Sequence, residues 1–98
     1  MRLDWTDDAK RDRKIIVSYI GLDNPKAARQ MDLRFRAVAR LLTQSPYSGR
    51  SSVIAGFREF TVHPSYRMVY EIRGEKISIV ALVHTSRQWP PVDDESGS

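Results

Sequence analysis

Five apolar residues at helical spacing restrict the fold of this chain more than any other part of its sequence. They are Ala28, Met31, Phe35, Val38 and Leu42, and successive members are three or four residues apart. Residues at these intervals lie on one face of an α-helix. The pattern predicts an amphipathic helix that ends at "SPYSG", and such a helix must pack its apolar face against another layer of structure.

A second helix is predicted before this one. Thr6 is the expected N-cap, and the two aspartates that follow it would lie in the first turn, where the helix dipole favours anions. This helix is expected to bury Ala9, Ile16 and either Tyr19 or Ile20, and to run to about Ile20 with Gly21 as its stop signal. A loop of about four residues would then join two antiparallel helices in a hairpin.

Strand patterns flank the two helices. "MRLDW" alternates apolar and polar residues before them, and "FREFTV", "YRMVYEI" and "KISIVALVH" follow them. The last run is apolar on both faces, which predicts the central strand of a sheet. The expected fold is α+β in the order β-α-α-β-β-β. An antiparallel two-helix hairpin packs on one face of a mainly antiparallel sheet, and the other face is left partly open.

Length and composition indicate one small domain. The chain has 98 residues and no cysteine, which excludes disulfides and cysteine zinc sites. Residues 1–91 are predicted to form the domain, and 92–98, which hold three acidic residues, a flexible acidic tail. No apolar run is long enough to span a membrane, and "MRLDWTDDAK" lacks the apolar region of a secretory signal. A cytoplasmic protein that does not contact a membrane is the default expectation.

The charge distribution favours an anionic partner. The formal net charge is +4, and it is +7 without the acidic tail, with 12 arginines against 4 lysines. Four candidate functional residues lie near predicted strand ends: Arg58, Arg67, His84 and Arg87. Together they could hold a phosphodiester, stabilise a transition state or exchange a proton. The alternative is that Arg58 and Arg67 pair with nearby carboxylates such as Glu59.

Other catalytic chemistry has little support in the sequence. There is no glycine-rich phosphate loop and no isolated carboxylate pair. His63 and His84 are too few for a metal site without acidic residues at ligand spacing. We therefore expect neither a metal nor an organic cofactor.

Several segments together resemble the RelE/ParE superfamily of small toxins from bacterial toxin–antitoxin modules. They are "WTDDAKRDRKIIVSYI", "NPKAARQM", "SPYSGR", "GFREFTVHPSYRMVYEI" and "ISIVALVHTSRQWP". No single motif identifies the family, but the order and spacing of the segments match it. Together the segments cover residues 1 to about 91. The resemblance implies a helical hairpin on an antiparallel sheet, in agreement with the pattern analysis.

The resemblance implies two alternative functions. RelE-like members cleave messenger RNA on the ribosome without a metal, using basic residues on the sheet and often a C-terminal tyrosine or histidine. ParE-like members have the same scaffold and inhibit DNA gyrase. In a nuclease, His84 would be the acid or base, and Arg58, Arg67 and Arg87 would hold the phosphate. Both kinds are neutralised by an antitoxin, which for this chain would be ParD-like and encoded next to it.

Two departures from the RelE pattern favour the ParE-like alternative. The loop "GRSSVIAG" lacks the lysines that RelE places there, and no tyrosine occurs after Tyr70.

The antitoxin is expected to bind through an extended segment that crosses the helices and the sheet edge. Met31, Phe35 and Trp89 are its candidate contacts. The arginines of the second helix, Arg29, Arg36 and Arg40, are interpreted as solvated surface, with antitoxin contact as the alternative.

Overall fold

The computed structural model describes residues 1–91, which form two helices and five strands. In chain order they are β1 (Arg2–Trp5), α1 (Asp7–Asp23), α2 (Pro25–Gln44), β2 (Arg50–Ser51), β3 (Phe57–His63), β4 (Tyr66–Arg73) and β5 (Lys76–His84). The predicted acidic tail, 92–98, lies outside the described residues. Within the described part, neither helix is long and apolar enough to cross a membrane.

The helical hairpin is tighter than predicted. The Thr6 hydroxyl caps α1 by accepting a hydrogen bond from the N–H of Ala9 at 3.2 Å. The helix continues through Gly21 to Asp23, so the predicted stop was wrong. Asn24 alone joins the helices. It caps the end of α1 through its own N–H and the start of α2 through its side chain. One glycine inside a helix costs only about 1 kcal/mol, which these two caps can offset.

The apolar face of α2 packs on the sheet as its spacing predicted. Ala28, Met31, Phe35 and Leu42 are buried, and Val38 is packed against the same cluster. The sheet supplies the other half of the core, chiefly Met68 and Tyr70 of β4 and Ile77, Ile79 and Leu82 of β5. This contact confirms the two-layer α+β arrangement.

The order of strands in the sheet differs from the prediction in one respect. The order is β1-β5-β4-β3-β2, so β4, and not β5, is the middle strand. The short first strand lies parallel to β5 on its outer side, and all the other pairs are antiparallel. The two-residue β2 was not predicted. The apolar run of β5 was a misleading signal because any strand with two neighbours and two covered faces would show it.

The edge of β5 beyond the end of β1 is covered by a carboxylate. Asp12 of α1 accepts a hydrogen bond from the N–H of Leu82 at 3.1 Å. Burial raises the pKa of the Asp12 carboxyl above its ordinary value of 3.8, and Asp8 raises it further. The Leu82 hydrogen bond and Arg11 lower it, with burial the largest of the four effects. The carboxylate therefore pairs a strand donor that would otherwise lack a partner, at some cost in desolvation.

Substitutions of Asp12 should separate these two effects. Asp12→Asn keeps an acceptor for Leu82 without the buried charge, so we expect stability at pH 7 equal to or above the parent. Because the folded pKa is raised, the contribution of Asp12 to the parent's stability is largest below pH 3.8 and falls as the pH rises through the folded pKa. The advantage of Asp12→Asn should therefore shrink in acid. Asp12→Ala should cost about 1–2 kcal/mol relative to Asp12→Asn. Urea unfolding at several pH values measures both the pH dependence of the Asp12→Asn advantage and the cost of Asp12→Ala. Equal stability of the two variants would contradict the role of the hydrogen bond.

Candidate functional site

The four candidate residues do not form one cluster. Arg58 lies opposite Tyr70 in the pairing of β3 with β4, and so faces the helices. Arg67 is three residues before Tyr70 on β4 and lies opposite Thr61. Its side chain is therefore on the other face of the sheet. The two arginines are thus separated by about 10 Å along the strands as well as by the sheet itself. Only Arg67, His84 and Arg87 share one end of the sheet, as predicted for Arg67 and His84.

Residues 85–91, called the C-terminal segment below, cross the face of the sheet that was expected to be partly open. The segment begins beside the β3–β4 turn, where the N–H of Thr85 donates to the carbonyl of Ser65 at 2.9 Å. Its middle is held by Arg67, whose Nη2 donates to the carbonyl of Arg87 at 2.8 Å. Its end reaches β3, where the ring of Trp89 lies 5.1 Å from that of Phe57 in an edge-to-face contact. The segment therefore spans three strands.

A buried ion pair lies beside this segment. Glu59 of β3 is only 8% exposed, and its Oε1 lies 3.1 Å from Nε of Arg67. The N–H of that nitrogen is not aligned for a hydrogen bond, so the contact is an ion pair whose strength comes from charge rather than direction. Arg50 of β2 adds a second, exposed cation at 3.6 Å. Arg67 is thus committed to Glu59 and to the carbonyl of Arg87, which matches the structural alternative stated for it.

Arg58 does not pair with Glu59, because neighbouring residues of a strand point to opposite faces. Its guanidinium donates to the carbonyls of Gly49 and Tyr47 and lies over the Tyr47 ring at 5.1 Å. Its Nε is buried and has no hydrogen-bond partner within residues 1–91. This arginine therefore holds the chain between α2 and β2 against the sheet.

The two histidines are tied to their own turns. Nδ1 of His63 accepts from the N–H of Ser65 at 3.0 Å, and Nδ1 of His84 accepts from the N–H of Ser86 at 3.1 Å. In a neutral ring this arrangement places the proton on Nε2. Tyr66 lies between the two rings, with centroid distances of 6.5 and 5.5 Å. No group of three or more residues in the described chain, counting histidine, aspartate and glutamate, is placed to hold a metal ion.

Two of the three candidate partner contacts lie inside the protein. Phe35 is fully buried and meets Tyr66 edge-to-face at 6.1 Å, and Met31 is 9% exposed in the same core. Phe35 presents no surface to a partner and Met31 very little, because both side chains pack α2 on the sheet. Trp89 is half-buried against Phe57 and keeps part of its surface accessible.

The role of Tyr70 was only half predicted. Its position in the core was expected, but its hydroxyl also fixes the turn between α2 and β2. The hydroxyl donates to the carbonyl of Pro46 at 2.6 Å and accepts from the N–H of Gly49 at 3.0 Å. A tyrosine on the core face of a strand was the available signal, since a buried phenol usually finds a hydrogen-bond partner.

A model of the family described as "ParE toxin of type II toxin-antitoxin system, parDE" matches residues 3–89. The chain belongs to this family. It is 36% identical over 83 residues to "Toxin RelE2" of Caulobacter vibrioides, covering 85% of this chain and 93% of that protein. It is 33% identical over 92 residues to "Putative toxin Y4kP" of Sinorhizobium fredii, covering 93% and 95% of the two chains. This ParE-family protein is therefore a toxin of a type II toxin–antitoxin system, within the superfamily that its sequence segments resembled.

Solved structures agree on the fold of the ParE-family toxin. The toxin in "Chromosomal ParDE TA system from P. aeruginosa" superposes with a TM-score of 0.76 at 22% identity, covering 86% of this chain and 95% of that one. The "YoeB/ParE toxin from Agrobacterium tumefaciens" superposes with a TM-score of 0.64 at 16% identity, covering 86% and 98%. The helical hairpin on a mainly antiparallel sheet is thus shared with both solved structures.

Proposed function

We propose that this ParE-family toxin stops growth by binding DNA gyrase, and that it has no nuclease activity of its own. The observation that carries the proposal is the set of contacts made by the Arg67 side chain. Its side chain is 14% exposed, is paired with Glu59 and donates to the C-terminal segment. An arginine that neutralises a buried glutamate is not free to hold the phosphate of an RNA substrate.

The other candidates for a nuclease site give it no better support. General acid–base cleavage needs the acid, the base and the phosphate ligands to converge on one reacting group. Arg58 lies on the opposite face of the sheet from Arg67, so the two arginines cannot hold one phosphate together. In addition, no tyrosine follows Tyr70. Arg87 remains as an exposed cation on the C-terminal segment, and the proposal makes it a contact to the target protein.

We also propose that a ParD-like antitoxin neutralises the toxin and that the toxin acts in the cytoplasm. Solved structures with this fold include toxin–antitoxin complexes, namely a ParDE system, a YoeB–YefM complex and a DinJ–YafQ complex. The excess of arginine on the toxin suits an acidic partner. An antitoxin that orders on binding would be partly disordered when alone.

A supercoiling assay with purified gyrase and antitoxin-free toxin tests the proposal. We expect inhibition at submicromolar toxin, with Arg87→Glu weakening it by about tenfold, or 1.4 kcal/mol, because the exposed cation is replaced by an anion. Arg73→Glu is the matched control. Arg73 is also an exposed arginine, but it ends β4, whereas Arg87 lies near the start of β4. Both variants should unfold at the temperature of the parent.

The alternative of a ribosome-dependent nuclease gives a different set of results. It requires messenger cleavage in a translating extract, and loss of that cleavage in Arg67→Met even when the fold is preserved by the compensating change Glu59→Leu. Cleavage without gyrase inhibition would overturn the proposal. Inhibition of gyrase by the double variant at the level of the parent would support it, because the buried pair then has a structural role only.

A further inference from the structure

The outer edge of the sheet is formed by a strand that uses only half of its hydrogen-bonding groups. β1 is the last strand on its side of the sheet and pairs with β5 alone. The N–H groups of Arg2 and Thr6 donate to β5, at 2.8 and 3.0 Å. Because alternate residues of a strand point their backbone groups to opposite sides, those of Leu3 and Trp5 point away from β5. Such an edge is a template on which another strand can pair.

The charged side chains of β1 form a pattern that is complementary to itself. Arg2 and Asp4 flank Leu3, with the cation on one side and the anion on the other. Both are exposed, and neither forms an ion pair with any residue in 1–91. In an antiparallel pair of two β1 strands centred on Leu3, each Arg2 lies directly opposite Asp4 of the second copy. Opposite charges in these positions stabilise a strand pair, whereas a parallel pair in register would place like charges together.

The free backbone groups of β1 fit the same register. In an antiparallel pair, directly opposite residues alternate between exchanging two backbone hydrogen bonds and exchanging none. Leu3 presents both of its groups outward, so it can exchange two with Leu3 of the second copy. The N–H of Trp5 can then donate to the carbonyl of Met1 of the second copy. Arg2 and Asp4 fall in the positions without hydrogen bonds, where opposite side chains are closest.

The apolar side chains of β1 are incompletely covered. Met1 is 47% exposed and Leu3 is 37% exposed, and together with Trp5 they line a groove of about 610 Å³ beside α2. These three residues share one face of the strand, because they alternate with Arg2 and Asp4. Pairing of two β1 strands about Leu3 would bring the two leucines into contact. It would also place each Met1 against Trp5 of the second copy, and a methionine sulfur beside an aromatic ring is a favourable contact.

We infer that β1 is the contact surface between two copies of this toxin, which associate by antiparallel pairing of their β1 strands about a two-fold axis at Leu3. The pairing joins the two five-stranded sheets into one continuous sheet. It is an isologous contact, in which the same surface patch of each copy binds the other. The inference concerns the toxin without its antitoxin, and it uses no part of the proposed contact with gyrase.

The association should be weak. A pair of five-residue strands buries less surface than the roughly 1,200 Å² of a standard stable interface. Each copy also has a formal net charge of +4, and Arg36 and Arg40 line the groove beside β1, so like charges oppose the approach. We expect a dissociation constant of about 100 µM. Toxin at about 1 mM would then be mostly dimeric, and the submicromolar toxin of the gyrase assay would be monomeric.

Sedimentation equilibrium of the antitoxin-free toxin and two charge variants tests the inference. Asp4→Arg places bases opposite bases across the strand pair, and Arg2→Asp places acids opposite acids. Each variant alone should therefore associate about tenfold more weakly than the parent. An equimolar mixture of the two should recover the association of the parent, because every opposite pair in the mixed dimer again joins an acid and a base. The double variant Arg2→Asp/Asp4→Arg should recover it for the same reason.

Asp23→Arg is the matched control. Asp23 is an exposed aspartate without an ion pair in residues 1–91, and it lies at the far end of α1 from β1. The same change of charge there should leave the association within about twofold of the parent. Leu3→Pro tests the backbone contact without a change of charge, since it removes an outward N–H that β5 does not use, and it should weaken the association. Melting temperatures equal to the parent's show that each variant is folded.

Three results would overturn the inference. The first is a toxin that stays monomeric up to about 1 mM, ten times the expected dissociation constant. The second is association of Asp4→Arg and Arg2→Asp at the level of the parent, which would assign the contact to another surface. The third is the failure of their mixture to recover association, which would show that the two charges do not face each other across the strands. The gyrase assay uses monomeric toxin, so neither experiment decides the other.

Discussion

Replacing Glu59 with leucine is expected to destabilise the toxin by about 2–3 kcal/mol, because it leaves the buried charge of Arg67 without its counter-ion. The Arg67 side chain is 14% exposed and cannot reach water fully without displacing the C-terminal segment. Arg50 would not compensate, since it is 77% exposed and would itself lose its acidic partner. For a domain of this size the melting temperature should fall by about 10–20 °C.

The double variant Glu59→Leu/Arg67→Met is the control for this prediction. With both charges replaced by apolar side chains, no unpaired charge remains, and stability should return to within about 1 kcal/mol of the parent. Arg67→Met alone should be destabilised, because Glu59 is then buried without Arg67. Urea unfolding of the four proteins gives the coupling energy of the pair. Additive losses in the double variant would show that the two side chains do not depend on each other.

Gly49→Ala is expected to lower the free energy of unfolding by about 3 kcal/mol, because the site has no room for an extra carbon. A Cβ at this position would lie 2.6 Å from the carbonyl oxygen of Glu59 and 2.6 Å from the hydroxyl of Tyr70. The first is backbone of β3 and the second belongs to a fully buried side chain, so neither can move freely. The substitution should also loosen the hydrogen bonds that Pro46 and Gly49 make with Tyr70.

Gly21→Ala is the matched control for Gly49→Ala. Gly21 lies inside α1, where a Cβ would lie 3.5 Å from that of Ala28, an ordinary contact. Because alanine is the better helix former, this variant should be neutral or more stable by up to about 1 kcal/mol. Thermal unfolding of both variants tests the pair. A Gly49→Ala protein that melts within about 2 °C of the parent would contradict the packing described here.

The two predictions concern the same part of the molecule. Glu59 contributes its side chain to the pair with Arg67 on one face of β3, while its carbonyl is the group that excludes a Cβ at Gly49. Next to it, Arg58 donates to the carbonyl of Gly49 from the other face. The side chains of Arg58, Glu59 and Arg67 therefore make contacts that hold this region of the sheet together. A toxin built in this way has its exposed cations at the periphery, where they are available to another protein.

The local elements of this protein follow from its sequence. The spacing of apolar residues in α2, the N-cap at Thr6 and the alternation in β3 and β4 each depend on neighbours within a few positions of the chain. Helical and strand periodicities are properties of such short segments, and they were predicted correctly apart from the end of α1 and the two-residue β2. The order of the toxin segments was enough to indicate the family.

The arrangement of the candidate site could not be predicted from the sequence, because it is formed by contacts between residues far apart in the chain. The sequence shows Arg67 and Arg87 as two cations near strand ends. Only the folded chain shows that the first is neutralised by Glu59 and binds the backbone of the second. The pairing of β1 with β5 likewise joins residues separated by more than 70 positions. Short-range patterns carry no information about such pairings, because the same side chains would show the same periodicity with any partner.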